Sequence, residues 1–207
     1  SALSEALGTA ARTLGAAIER KRMEKNVRDA HQRFLAVMDH LDGFVYVADM
    51  QTDEILYANG AMKRKFGEVT GAICWQALHE NQTGPCDHCN NDRLVDAQGE
   101  PTGLVVSEHY NEMAGGWFEV HDRAIPWVDG RLVRLEVAFD ISTRKRAEEH
   151  LRESEEKFRT LSEQSLMGIL IFQDGRVVFA NPRMQELTGY SPEELQLLTT
   201  DELLGLL

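Results

Sequence analysis

Residues 140–146 read Asp140-Ile141-Ser142-Thr143-Arg144-Lys145-Arg146, and they stand where a strand-rich region ends and a charged helix begins. The predicted helix continues to about Leu161. Its few apolar residues follow a heptad pattern that Ser154 interrupts, and they are Ala147, Leu151, Phe158 and Leu161. A seam this narrow favours pairing with a second helix over packing against a domain core. We therefore interpret residues 144–161 as a linker helix.

The same pattern occurs earlier in the chain, so the sequence contains a tandem repeat. Each copy has a basic run, a helix, a short apolar strand and then an aromatic-Ala-Asn triplet, which is Tyr57-Ala58-Asn59 in one copy and Phe179-Ala180-Asn181 in the other. The offset is 124 residues between Arg20 and Arg144, and it is 122 residues between Asn59 and Asn181. An offset of this size indicates a repeated domain rather than a short solenoid repeat.

Composition narrows the possible functions. The net charge of −12 over 207 residues argues against a duplex nucleic-acid binder, which needs clustered Lys and Arg for its phosphate contacts. The chain has no apolar run near 18 residues and no signal-peptide pattern, which predicts a cytoplasmic location without membrane contact. Helical patterns reach both ends of the sequence, so we expect it to be a piece of a longer protein.

Hydrophobic periodicity predicts the secondary structure of the first copy. A long helix over 3–41 precedes two short strands at 43–50 and 54–58. Asn59 is a natural N-cap for a short helix, and in the second copy Asn181-Pro182 gives the same signal. Three further strands, at 103–111, 117–127 and 131–139, form a meander. We expect an α+β fold with five antiparallel strands and helices on one face.

The last strand alternates in polarity, which predicts one buried and one solvent-facing side. Val133, Leu135, Val137 and Phe139 form the predicted buried side. Arg134 and Glu136 fall on the side predicted to face water.

The repeated unit resembles a PAS sensor domain. The resemblance rests on Tyr57-Ala58-Asn59, on the helix that ends at Gly67, and on Asp140-Ile141-Ser142-Thr143, which is similar to the family's closing Asp-Ile-Thr motif before a signalling helix. It implies a complete PAS domain over 34–143 and the first half of another over 162–207. Residues 1–33 are similar to the closing helix of an upstream sensor domain, such as one of the GAF type.

Three cysteines, Cys74, Cys86 and Cys89, have the spacing C-x11-C-x2-C in one irregular segment. They allow three interpretations: structural thiols, a redox switch between Cys74 and one of the pair, or a metal ion or iron–sulfur cluster. A metal site needs a fourth ligand, which His79 can supply. His88 lies inside the C-x-x-C turn, where we expect reaching the same ion to be awkward.

Flavin and haem fit the sequence poorly. PAS relatives that bind flavin through a cysteine carry Asn-Cys-Arg-Phe-Leu-Gln, whereas this chain has Ile73-Cys74-Trp75-Gln76-Ala77-Leu78. His79 is a lone candidate for a haem ligand. The aromatic residues of the meander either pack under a covering helix or line a small-molecule pocket. Such a pocket would lie between the meander and the helices, with Met62, Phe66, Trp75, His109 and Trp117 as its candidate residues.

No catalytic motif appears in the sequence, so we expect a sensory rather than an enzymatic role. The hypothesis is a bacterial signalling module that senses a small ligand or a redox state. Its final strand would pass the change, through Asp140, Ile141, Ser142 and Thr143, to the linker helix and an output domain. The alternative is a ligand-free scaffold that forms a homodimer through its helices. Narrow apolar seams at 3–41 and 147–161 favour a dimer in either case.

Overall fold

A computed structural model describes residues 2–198, with the side chains of residues 2–14 and Pro192 outside the description. The chain divides into two compact units, Ser1–Ser142 and Thr143–Leu207. The first unit contains α1 (Ala2–Asp39), β1 (Phe44–Asp49), β2 (Ile55–Ala58), α2 (Gly60–Phe66), α3 (Cys74–Leu78), α4 (Asn91–Leu94), β3 (Leu104–Asn111), β4 (Gly116–Pro126) and β5 (Leu132–Asp140). The second contains α5 (Ser142–Glu163), β6 (Leu170–Gln173), β7 (Arg176–Ala180), α6 (Pro182–Thr188) and α7 (Pro192–Leu197).

The first unit is built on one five-stranded antiparallel sheet with the strand order β2-β1-β5-β4-β3. This confirms the predicted fold class. The closing strand β5 occupies the centre of the sheet, where it pairs with β1 on one side and β4 on the other. The last strand of the domain in sequence is therefore the central strand of its sheet, and α5 follows directly after this strand.

The core of the first unit lies on one face of this sheet. Helices α2 and α3 bury Met62, Cys74 and Leu78 against Tyr46 and Ala48 of β1. A second cluster places Phe118, Val120 and Ala138 of β4 and β5 beside Phe44. Phe44 touches both clusters, because its ring lies 5.3 Å from the ring of Phe66 and 5.2 Å from that of Phe118.

The side of β5 predicted to face water instead faces the interior. Arg134 is 5 % exposed, and the side chain of Glu136 is 14 % exposed. The prediction was wrong because the covering helices and the cavity lie on the face that carries Arg134 and Glu136. On the opposite side Val133 is buried, Leu135 and Val137 are half-buried, and Phe139 is 41 % exposed. A buried charged residue then needs partners, and these are described below.

Asn59 ties three elements of the first unit together and is fully buried. Its Oδ1 accepts hydrogen bonds from the backbone N–H groups of Val45 and Met62, each at 3.1 Å. Its Nδ2 donates to the carbonyls of Met38 in α1 and Gly43, each at 3.0 Å. The N-cap predicted at Asn59 is thus present, and it also fastens the end of the long preceding helix to the domain.

The second unit repeats this arrangement around Asn181. Its Oδ1 accepts from the N–H groups of Ile169 and Met184 at 2.8 and 3.0 Å. Its Nδ2 donates to the carbonyls of Ser162 in α5 and Met167 at 2.8 and 2.9 Å. The two asparagines use all their hydrogen-bonding groups in the same way, which is structural support for the repeat.

The described part of the second unit has one two-stranded sheet, β6 paired with β7. Helix α7 packs on it through Leu195 and Val177. Its first turn is fixed by a capping box between Ser191 and Glu194. Residues 199–207, which the sequence assigns to this half-domain, lie outside the described residues.

Both long helices present apolar side chains to solvent. On α1, Val27 is 70 % exposed and Phe34 is 52 % exposed, and on α5 Leu151 is 62 % exposed. The part of the seam predicted over Leu3 to Leu14 lies outside the described side chains. Between residues 2 and 198, no helix combines the length and the apolar composition needed to cross a bilayer.

Candidate functional site

A cavity of about 50 Å³ lies between the inner face of the sheet and the segment that runs from α2 to α4. The sheet contributes Tyr46, Phe118, Arg134 and Glu136, and the covering segment contributes Met62 and Trp75. This volume holds a few water molecules, whereas pockets for cofactor-sized ligands measure roughly 300–1,000 Å³. In this form the unit has space for an ion or a very small molecule, and a flavin or a haem would require it to open.

The expected pocket residues lie around this cavity with one exception. Met62, Phe66, Trp75 and His109 line it, whereas Trp117 does not. Register explains the exception, because His109 pairs with Phe118 across the sheet while Trp117 pairs with Tyr110. Trp117 therefore lies on the opposite face, 39 % exposed, with its ring edge-on to that of Tyr110.

Arg134 organises a buried polar network in the cavity wall. Its Nη2 donates to the Tyr46 hydroxyl at 2.7 Å, and that hydroxyl donates to Glu136 Oε2 at 2.6 Å. Its Nε lies 3.7 Å from Asp122 Oδ1, and Asp122 Oδ2 accepts from Asn90 Nδ2 at 2.8 Å. A buried guanidinium thus faces two carboxylates, and only one of the two is needed to balance its charge.

The pKa of Glu136 reflects this imbalance. Burial raises it from 4.5 to about 7, the guanidinium of Arg134 opposes the rise, and the negative charge of Asp122 adds to it. Burial also raises the pKa of Tyr46 well above its usual range. Near neutral pH the network therefore exchanges a proton at Glu136 while Tyr46 stays protonated. A group that titrates inside a cavity is a functional-site signal.

The three cysteines are free thiols around the same cavity. Arg134 lies against two of them, with Nη1 at 3.4 Å from Cys89 Sγ and Nη2 at 3.5 Å from Cys74 Sγ. Burial raises the pKa of Cys74 to about 11 and that of Cys86 to about 12. Both therefore remain thiols at neutral pH, which slows attack on oxidants, since the thiolate is the reactive form.

Three histidines meet beside Cys86. The His88 ring is stacked on the His109 ring at 4.1 Å, and the His79 ring lies 5.1 Å from that of His88. Ligand atoms of His79, Cys86 and His88 all lie within 4.8 Å of one another. The expectation that His88 would reach a shared ion only awkwardly was wrong, because the turn places its ring on the same side as Cys86.

Burial keeps this histidine cluster uncharged. It is the largest cause lowering the pKa of His79 and of His88, and it lowers the pKa of His109 to about 4, with the neighbouring rings adding to the effect. Neutral imidazoles expose the lone pairs that bind metal ions. Within residues 2–198, His109 Nδ1 is buried and has no hydrogen-bond partner.

The junction between β5 and α5 is held by hydrogen bonds to β4. Ser142 Oγ accepts from the backbone N–H of Trp117 at 3.0 Å, and the N–H of Ile141 donates to the Trp117 carbonyl at 2.9 Å. Asp140 Oδ1 accepts from the N–H of Ser142 at 2.8 Å. Thr143 accepts a bond from Arg146 within the first turn of α5. The motif Asp140 to Thr143 thus fixes where the helix begins.

A family model described as "PAS domain" matches residues 32–99 and 156–207, which together make up more than half of the chain. The chain belongs to the PAS domain family. Each of the two matched segments contains one of the hydrogen-bonded asparagines described above, Asn59 in the first and Asn181 in the second. The protein is accordingly a sensory signalling module.

Among curated proteins, this PAS chain is 40 % identical to sporulation kinase E of Bacillus subtilis (strain 168) over 63 residues. The match covers 30 % of the chain and 8 % of the kinase, so the chain corresponds to a small part of that protein.

Solved structures of similar fold include the PAS domain of an HTR-like protein from Haloarcula marismortui, at 18 % identity and a TM-score of 0.43, covering 58 % of this chain and 99 % of that one. The PAS domain of Bordetella pertussis BvgS is also 18 % identical, with a TM-score of 0.38, and covers 63 % of this chain and 98 % of that one.

Sequence reasoning missed the network around Arg134, including Tyr46, Asp122 and Asn90. One signal was available for Asp122, because it shares strand parity with Phe118, Val120 and Ala124, all of which are buried. When the alternate positions of a strand are apolar except for one acidic residue, the pattern indicates that this residue directs its charge into the interior. For Asn90 and Tyr46 the sequence holds no comparable signal.

Proposed function

We propose that this chain is the sensory region of a cytoplasmic bacterial signal-transduction protein. Its first PAS unit senses a small ligand or a redox state, and α5 passes the change to a downstream output domain. A histidine kinase or a cyclic-dinucleotide enzyme is the proposed output, and the former agrees with the name of the sporulation kinase matched over a short segment.

One observation carries this proposal: β5 contributes to both the cavity and the start of α5. Arg134 and Glu136 line the cavity. The same strand ends four residues after Glu136, at Asp140, whose side chain accepts a hydrogen bond from the N–H of Ser142. A change in charge or contact at the cavity therefore acts on the strand that leads into the helix. A difference of about 1–3 kcal/mol between two helix arrangements is enough to couple two sites.

The helices are proposed to pair with those of a second copy of the chain. Exposed apolar residues recur at seven-residue intervals, from Val27 to Phe34 on α1 and from Leu151 to Phe158 on α5. Glu–Arg pairs flank the seam on α5, such as Arg152 with Glu149 and Glu156. Apolar seams with charged edges are typical of coiled-coil dimers. Light scattering over a dilution series tests this, and a monomer at every concentration would contradict it.

Replacing Ser142 with alanine is expected to loosen the junction without disturbing the cavity. The substitution removes the acceptor of the Trp117 N–H, a bond worth about 1 kcal/mol. Hydrogen exchange of the Trp117 amide and of residues 143–147 should accelerate about fivefold. Ser154→Ala is the matched control, since Ser154 is exposed on the same helix, and it should leave both regions unchanged. Equal effects from the two substitutions would contradict the role of Ser142.

A ligand-free scaffold is the second candidate, and the small volume of the cavity favours it. Hydrogen exchange separates the two candidates when wild-type protein is compared in the reduced state, after diamide oxidation, and with Zn²⁺. A sensor shows altered exchange at residues 140–150 in at least one condition, and Ser142→Ala weakens that response. A scaffold shows the same exchange in all three conditions.

A further inference from the structure

The residues around Cys86 form a set of metal-binding groups that differs from the one expected from sequence. His79 follows the end of α3, and Cys86 and His88 lie in the turn that precedes α4. Their ligand atoms lie within 4.8 Å of one another. Ligand atoms around a tetrahedral Zn²⁺ are separated by roughly 3.3–3.8 Å, which follows from Zn–N and Zn–S distances of about 2.0–2.3 Å. Side-chain adjustment of about 1 Å therefore brings the three onto one ion.

Cys74 and Cys89 are poor ligands in this arrangement. Both sulfurs lie against the guanidinium of Arg134, which is at most 3.5 Å away, and Arg134 is itself buried. A metal cation placed between them would meet a fixed positive charge in a medium that screens it weakly. The three-thiol set of Cys74, Cys86 and Cys89 is accordingly replaced by one thiol and two imidazoles. A single thiol also disfavours an iron–sulfur cluster, which uses several.

We infer that His79, Cys86 and His88 bind one transition-metal dication of the Zn²⁺ type in the first PAS unit, with a fourth coordination position left open. This deepens the proposed function, because it names an ion as the ligand that the unit senses. Two imidazoles and one thiolate suit a borderline ion such as Zn²⁺, whereas Mg²⁺ and Ca²⁺ require oxygen ligands.

The surroundings agree with an exchangeable ion. His88 is exposed while His79 and Cys86 are half-buried, so the group has a path from solvent. Glu112 exerts a negative potential on His79, His88 and His109, which opposes the positive potential of Arg134 on the first two. The ring of His109 is stacked on that of His88 at 4.1 Å, and among residues 2–198 its buried Nδ1 has no hydrogen-bond partner.

Titration of the reduced, metal-free 207-residue chain with Co²⁺ tests the site. One ion per chain should bind, with a thiolate-to-cobalt charge-transfer band in the near ultraviolet and visible bands of a tetrahedral ion, and Zn²⁺ should displace it. Cys86→Ser should abolish the charge-transfer band and weaken binding at least 100-fold, and His79→Ala and His88→Ala should each weaken it at least tenfold. Far-ultraviolet circular dichroism confirms that each variant is folded.

Matched controls make the assignment specific. Cys74→Ser, Cys89→Ser and His121→Ala should keep the band and the stoichiometry, since Arg134 faces the two thiols and His121 lies on β4, outside the cluster. Absence of stoichiometric binding would overturn the inference, as would a band that survives Cys86→Ser or disappears in Cys89→Ser.

These experiments distinguish a failure of the metal-site inference from a failure of the sensory proposal. If Zn²⁺ binds through the three residues without altering hydrogen exchange at residues 140–150, the site stands and its role as the stimulus is overturned. If no metal binds while oxidation alters exchange at those residues, the metal site is overturned and the sensory proposal stands on redox state.

Discussion

Asn59→Ala is expected to lower the free energy of unfolding of the first unit by about 3–4 kcal/mol, because several buried polar groups would lose their partners together. The Asn59 side chain makes four hydrogen bonds and is inaccessible to solvent. Alanine would leave the Val45 N–H and the Gly43 carbonyl without these bonds. It would also remove one bond to the last turn of α1, which Asp39 still joins to the N–H of Gly60.

Tryptophan fluorescence during urea unfolding measures this loss, since all three tryptophans, at positions 75, 117 and 127, lie in the first unit. Asn181→Ala is a control supplied by the chain itself. It removes the same four bonds from the second unit, and it should leave the fluorescence transition within about 0.5 kcal/mol of wild type. A loss of unfolding free energy below about 1 kcal/mol for Asn59→Ala would show that the four hydrogen bonds of Asn59 are not essential for the stability of the first unit.

Glu136→Gln should change how stability depends on pH. In the folded chain the pKa of Glu136 is about 7, above its ordinary value of 4.5, so the folded state binds the proton more tightly than the unfolded state. The stabilising contribution of that proton is complete below pH 4.5 and is lost as the pH rises through about 7. Glutamine has the shape of the protonated acid and does not titrate.

The difference in unfolding free energy, wild type minus Glu136→Gln, should therefore fall by about 2–3 kcal/mol between pH 5 and pH 8, at about 1.4 kcal/mol per pKa unit. Urea unfolding at both pH values measures it. Glu100→Gln makes the same chemical change at an exposed position of the first unit and should show no such fall. A constant difference for Glu136→Gln would mean that Glu136 is already ionised at pH 5 in the fold.

The sequence predicted the elements well because their signals are local. Strand alternation and the caps at Asn59 and Asn181 each depend on a few adjacent residues, and every predicted strand of the first unit was found within two residues of its position. The order of the strands in the sheet was not predicted, because no local pattern contains it.

The site depended on register and on which face of the sheet the helices cover, and local patterns do not contain either. Trp117 was assigned to the cavity and faces away from it, because the pairing of β3 with β4 decides which residue lies opposite His109. Arg134 was assigned to solvent and lies in the cavity wall, because the helices cover the face of β5 that carries its charged residues. The guanidinium of Arg134 contacts the sulfurs of Cys74 and Cys89, whereas Cys86 lies beside two histidines, and spacing alone treats the three cysteines as equivalent.

Helix α5 is fastened at both of its ends, and this has a mechanical consequence. Ser142 is bonded to the backbone of Trp117 at the start, and the carbonyl of Ser162 is bonded to Asn181 near the finish. If α5 transmits the change as proposed, a rotation imposed at Ser142 would be carried along the helix to Ser162. Each residue of an α-helix turns by about 100°, so the number of residues between the two bonds would set the phase with which that rotation arrives. Adding a whole heptad to α5 should preserve that phase, and adding two residues should reverse it.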